Sequence, residues 1–162
     1  MSLTFLPTKT ATAGFTLLEV MIALVIFSIG LLGLAGLQAR GLQSNTVAQY
    51  RTMAVIQAYD MAERIRANPQ GVANNDYDAL DAAAGIAPAP NCVTASCNPD
   101  ELAAHDYYEW QVSNAATMPS GYGTVQRLGS QFSITVRWDE ARTNPSTKNC
   151  STMKCYILVF EP

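Results

Sequence analysis

From Phe15 to Leu37 the chain reads FTLLEVMIALVIFSIGLLGLAGL, 23 residues with a single ionisable side chain. As a helix this run would be about 34 Å long, enough to cross a hydrocarbon core of about 30 Å. Beyond Arg40 the pattern becomes periodic: Val47, Tyr50, Ala54, Ala58, Met61 and Ile65 recur at steps of 3, 4, 4, 3 and 4, which puts them on one helical face. Gln49, Arg51, Gln57, Asp60, Glu63, Arg64 and Arg66 fill the remaining surface. Asn68-Pro69 followed by Gly71 stops the pattern, and Arg64 and Arg66 suit the negative end of the helix dipole. The expectation is one helix from about Phe15 to Ala67, roughly 80 Å long. Its segment 15–39 would lie in lipid, and 40–69 would be an amphipathic continuation packing on a folded domain.

Residues 70–98, rich in Ala, Asn, Pro and Gly, predict a long connecting loop with a short helical turn near Tyr77 to Ala84. Asn98-Pro99-Asp100-Glu101 has the form of a capped helix start. Leu102, Ala103, Tyr107 and Trp110 keep one face apolar until Asn114 interrupts it, so a helix over 99–117 is expected. Ser120-Gly121-Tyr122-Gly123 turns the chain. A strand over Thr124 to Leu128 follows, then the alternating Phe132, Ile134, Val136 and Trp138, and a last strand from Tyr156 to Phe160. The fold class is α+β: a long N-terminal helix against a small antiparallel sheet occupying 121–162, within a head spanning 70–162.

Composition divides the chain in the same way. Charged residues make up 14%, against about 25% in an average soluble chain. Only Lys9, Glu19 and Arg40 precede position 50. A net charge of −3 gives no footprint for nucleic acid. The four cysteines, Cys92, Cys97, Cys150 and Cys155, all follow the apolar run, so export would make disulfides the default. Four cysteines allow three connectivities; the short separations favour 92–97 and 150–155. A four-thiolate zinc site is disfavoured by an oxidising location, and no metal or other cofactor is expected.

No nucleophile elbow, phosphate-cradling loop or metal-spaced histidine cluster occurs. His105, the one histidine, reads as a surface or packing residue. Asp76, Asp78 and Asp81 lack the glycine and glutamate spacing of a calcium loop. Asp100-Glu101 and Asp139-Glu140 read as cap and turn acids, so catalysis is not expected.

The leader Met1 to Gly14 carries one charge, Lys9, and looks like a processing signal. A secretory cut after Gly33-Leu34-Ala35 would release a soluble binding domain or enzyme. The apolar run is longer than the usual 7–15-residue signal core, which argues against that cut. A cut at Gly14-Phe15 would leave the span attached. Glu19, a carboxylate near the start of an apolar helix, marks either a site at headgroup depth or a charge-pairing site. Gly14-Phe15-Thr16-Leu17-Leu18-Glu19-Val20 followed by the apolar run resembles the class III signal of type IV pilins and type II secretion pseudopilins. That resemblance implies a pilin-like fold, cleavage by a prepilin peptidase after Gly14 and N-methylation of Phe15. It also implies a role for Glu19 in neutralising a neighbouring subunit's N-terminal amine during assembly. Cleavage would remove Lys9 and take the net charge from −3 to −4.

Tyr59-Asp60-Met61-Ala62-Glu63-Arg64-Ile65-Arg66-Ala67-Asn68-Pro69, Trp110 and Pro119-Ser120-Gly121-Tyr122-Gly123 further resemble PilV-type minor pilins, the type IV pilus modification proteins. The resemblance implies an inner-membrane protein with a periplasmic head that is later built into a surface pilus near its tip. Its partners would be other minor pilins, the major pilin and a tip adhesin, and its role would be to help initiate assembly. A minor pseudopilin of type II secretion would use the same helix and Glu19. Gly30, Gly33, Gly36 and Gly41 would weaken the helix in water and permit close helix approach in lipid or a fibre.

Overall fold

The computed structural model describes residues 14–81, 90–145 and 147–162. The leader before Gly14 and the Ala82–Ala84 end of the expected helical turn lie outside the described residues. The order of elements is α1 (Leu17–Ala67), α2 (Pro69–Ala73), β1 (Ala79–Asp81), α3 (Pro99–Thr117), β2 (Tyr122–Leu128), β3 (Gln131–Trp138) and β4 (Lys154–Phe160). The chain divides into two compact units after Gln43, within α1.

In the first unit every residue from Gly14 to Gln43 is exposed, including Leu17, Ile26 and Leu32. The helix is long and apolar enough to cross a membrane by length and composition. It runs unbroken through Gly30, Gly33, Gly36 and Gly41, and a Cβ at any of them would meet nothing within 4 Å among the described residues. No contact among the described residues requires these glycines.

In the second unit, Ala54, Ala58, Met61, Ala62 and Ile65 of α1 join one core with Trp110 of α3 and Val125, Phe132, Ile134, Val136, Trp138 and Phe160 of the sheet. Of the helical face read from the sequence, Ala54, Ala58, Met61 and Ile65 are buried and Val47 and Tyr50 half-buried, whereas Gln57, expected on the remaining surface, is buried because its carbonyl and side chain face α3. Strand β3 buries its alternate aromatic and aliphatic positions because strand side chains point to opposite faces. The sheet is antiparallel throughout, in the order β1-β2-β3-β4. One row of its register runs Asp81, Thr124, Thr135, Ile157.

The connecting segment is more structured than the expected loop. Asn68 ends α1 and also caps α2: its side chain accepts a hydrogen bond from Gly71 N–H at 3.0 Å, with Pro69 in the first turn. Tyr77 and Asp78 lie in turns, and Ala79–Asp81 pairs with Thr124–Gln126 as β1 instead of extending a helical turn. Edge pairing to β2 supplies these backbone groups with partners, which overrides the weak local helical preference. At α3 the expected cap is present in both directions. Asn98 accepts from Glu101 N–H at 2.9 Å and Glu101 accepts from Asn98 N–H at 3.0 Å. Asn114, where the apolar stripe lapses, is nevertheless fully buried.

Trp110 organises the head. Its indole N–H donates to the Gln57 carbonyl of α1 at 2.8 Å, and its ring lies where a Cβ on Gly123 would stand. Gln111 brackets Gly123, accepting from its N–H at 3.1 Å and donating to its carbonyl, which also accepts from the Tyr107 hydroxyl. Gly121 abuts the Asn114 carbonyl in the same way. The two glycines of Pro119-Ser120-Gly121-Tyr122-Gly123 are therefore the surface against which α3 seats. Gly123→Ala is expected to displace the indole and lower the stability of the head by about 1–3 kcal/mol through overpacking, read by chemical denaturation. Wild-type stability would contradict this packing.

Candidate functional site

The first unit brings Phe15 and Glu19 together. Thr16 stands immediately before α1, and its hydroxyl accepts a hydrogen bond from Glu19 N–H at 3.2 Å, the geometry of a helix N-cap. That cap starts the helix at Leu17, so Glu19 falls in the first turn, where the exposed N–H groups favour a carboxylate. Phe15 and Glu19 are four residues apart. They line one shallow indentation of about 470 Å³ with Val20, Ala23, Leu24 and Phe27. The Thr-x-x-Glu spacing is a sequence signal for this cap. Among the described residues Glu19 makes no ion pair. A carboxylate of this kind, set among exposed apolar side chains, is suited to a cation supplied from outside the chain.

The head contains a second polar constellation, and this one is internal. The Tyr77 hydroxyl donates to Asp106 Oδ2 at 2.8 Å and accepts from Asn68 Nδ2 at 3.1 Å. Arg64 donates to Asp106 Oδ1 at 3.2 Å and to Asp60 Oδ2 at 2.8 Å, and Asn68 also reaches the Pro99 carbonyl at 2.8 Å. Burial, followed by the Asp106 carboxylate, raises the Tyr77 hydroxyl far above the ordinary tyrosine range against the opposing Asn68 bond, so it remains a donor. The network ties the end of α1 to α3 and leaves no group free for chemistry. Nothing in local spacing announces it, because its members span residues 60 to 106.

The remaining candidates separate. Asp81 accepts from the Tyr122 hydroxyl at 2.6 Å, and burial together with that carboxylate pushes Tyr122 up to about 12. Asp78 lies 3.2 Å from Arg127, and no group of metal-ligating side chains forms among the described residues. His105 is half-buried on α3 beside Arg64, Asn91 and Tyr108. Disulfides join Cys92 to Cys97 ahead of α3, and Cys150 to Cys155 at the start of β4.

Two adjoining family models match the chain over residues 9–108. Residues 9–35 match the prokaryotic N-terminal methylation motif, a stretch that includes Gly14, Phe15 and Glu19. Residues 36–108 match a model described as type IV pilin Tt1218, which takes in the amphipathic part of α1, Tyr77, the first disulfide and the start of α3. The strands β2, β3 and β4 lie outside both matches. No curated protein and no solved structure matches the chain.

Proposed function

We propose that this chain, which matches the prokaryotic N-terminal methylation motif over residues 9–35 and a type IV pilin model over residues 36–108, works as a minor pilin, incorporated near the tip of the fibre to help initiate assembly. Its methylation motif implies processing by a prepilin peptidase and assembly with other pilins. In this reading the peptidase cuts between Gly14 and Phe15 and the new amine is methylated. The apolar part of α1 holds the subunit in the inner membrane, with the head in the periplasm, until it moves laterally into the fibre core beside other minor pilins and the major pilin. A tip adhesin is a further partner in this proposal.

The observation that carries the reading is that Phe15, just before α1, and Glu19, in its first turn, line one indentation at the exposed apolar start of the helix. Two opposite charges at about 4 Å attract by roughly 4 kcal/mol at an effective dielectric near 20. In an apolar core, a neighbour's N-terminal amine would therefore select one axial register, since other registers leave the carboxylate unpaired. The role is structural, consistent with a family that builds fibres, and the head supplies lateral contacts. Deleting the coding sequence tests the reading. Loss of surface pili with type II secretion intact, restored by complementation, is the expected result; loss of secretion with pili intact would assign the chain to a pseudopilin role.

A further inference from the structure

A cleft of about 360 Å³ lies in the head between α1, β3 and β4, lined by Arg51, Val55, Trp138, Lys154, Cys155 and Tyr156. Its two cations are exposed, and neither takes part in any of the ion pairs among the described residues. Arg64, Arg66 and Arg127 have carboxylate partners, while Arg40, Arg137 and Lys148, like the two cleft cations, make no ion pair among the described residues. The Arg142 guanidinium donates to the hydroxyl of Tyr50, the residue before Arg51, at 3.1 Å, and that partner is uncharged. Asp139, next to Trp138, spends its side chain on Asn144 N–H at 2.6 Å and on the Thr143 hydroxyl. In a chain of net charge −3, this concentration of unneutralised positive charge is not a general bias of composition.

The wall of the cleft supplies a second, independent observation. Trp138 is 2% exposed, and its indole N–H has no acceptor among the described residues. The other tryptophan, Trp110, satisfies its own indole through Gln57. A buried donor without a partner is costly, and native structures ordinarily provide one. Two cations with no ion pair among the described residues share the lining of the cleft with a tryptophan whose indole donor is unpartnered, a set that suits an anionic acceptor, and charge-assisted bonds to a carboxylate are the strong class. Val55 and Tyr156 line the same cleft with apolar surface, which a bare inorganic anion would leave unused and a peptide would cover.

We infer that this cleft is a receptor for an acidic peptide segment, with an aspartate or glutamate side chain of a neighbouring subunit seated between Arg51 and Lys154 beside Trp138. The fibre reading supplies the source of that segment, whereas the chemistry of the cleft stands without it.

The test uses the processed full chain in zwitterionic detergent with its two tryptophan indoles nitrogen-15 labelled, the signals being assigned with Trp138→Phe. The probe is the blocked tripeptide Val-Glu-Val, titrated against Val-Gln-Val and sodium phosphate. The glutamate peptide is expected to move the Trp138 indole signal saturably and leave that of Trp110 in place, while the two controls move neither. Arg51→Gln combined with Lys154→Gln should raise the half-saturating concentration by about tenfold or more, with the Trp110 indole signal of the free protein unchanged. An unmoved Trp138 signal, or one moved equally by Val-Gln-Val or by phosphate, would overturn the inference. Neither outcome depends on whether the chain enters pili, so failure here is distinguishable from failure of the fibre reading.

Discussion

Glu19→Ala is expected to leave processing and membrane insertion at wild-type levels and to lower recovery of the subunit in sheared fibres by at least about tenfold. The magnitude follows from the pair it removes. An attraction of roughly 4 kcal/mol in a partly screened environment corresponds to nearly three decades in an equilibrium constant, and desolvation of both ions reduces that figure. A tenfold loss corresponds to only about 1.4 kcal/mol of net benefit. The carboxylate makes no ion pair among the described residues and sits in an exposed first turn, so its removal should not unfold the helix. Immunoblots of membrane and sheared fractions separate assembly from expression. Glu19→Ala entering fibres at the wild-type level would show that charge pairing does not select the register.

Trp110→Ala carries the largest expected loss of stability, about 3–5 kcal/mol, the usual range for deleting a buried aromatic. The ring is fully buried, its N–H is bonded to α1 and its face is set against Gly123. One truncation therefore removes packing from α1, α3 and β2 together and leaves the Gln57 carbonyl without that donor. Against a typical domain stability of about 5–15 kcal/mol, this would leave the head marginal. Urea denaturation followed through Trp138 emission measures it. A loss below about 1 kcal/mol would mean that the indole is not the centre of the core.

The parts of this molecule that were legible in sequence are those that repeat. The helical face from Ala54 to Ile65 and the alternation from Phe132 to Trp138 were read from period alone, and both are buried as read. Asn98 and Glu101 announced α3 through a local exchange of hydrogen bonds that needs only three residues of spacing. Elements defined by distant partners were not legible. Three residues of β1 show no alternation long enough to count, and they are a strand because β2 lies beside them. Asn68 was read correctly as a stop, but its second use as the cap of α2 and its bond to Tyr77 depend on tertiary placement. Asn114 looked like the end of a stripe and is instead enclosed, with Gly121 against its carbonyl.

The candidate site divides in the same manner. Phe15 and Glu19 are four residues apart across the Thr16 cap at the start of α1, so their nearness follows from short spacing. The cleft at Arg51 and Lys154 joins residues about a hundred positions apart, and only the packing of β4 beside β3 against α1 brings them together.

The first residue of the mature chain decides whether Glu19 is carried into a fibre at all. Mass spectrometry of the N-terminal peptide, from protein purified out of the membrane, should find N-methylated Phe15 as the first residue, with residues 1–14 absent. A mature chain beginning at Gly36 would place the cut after the apolar run, remove Glu19 with it and contradict the account.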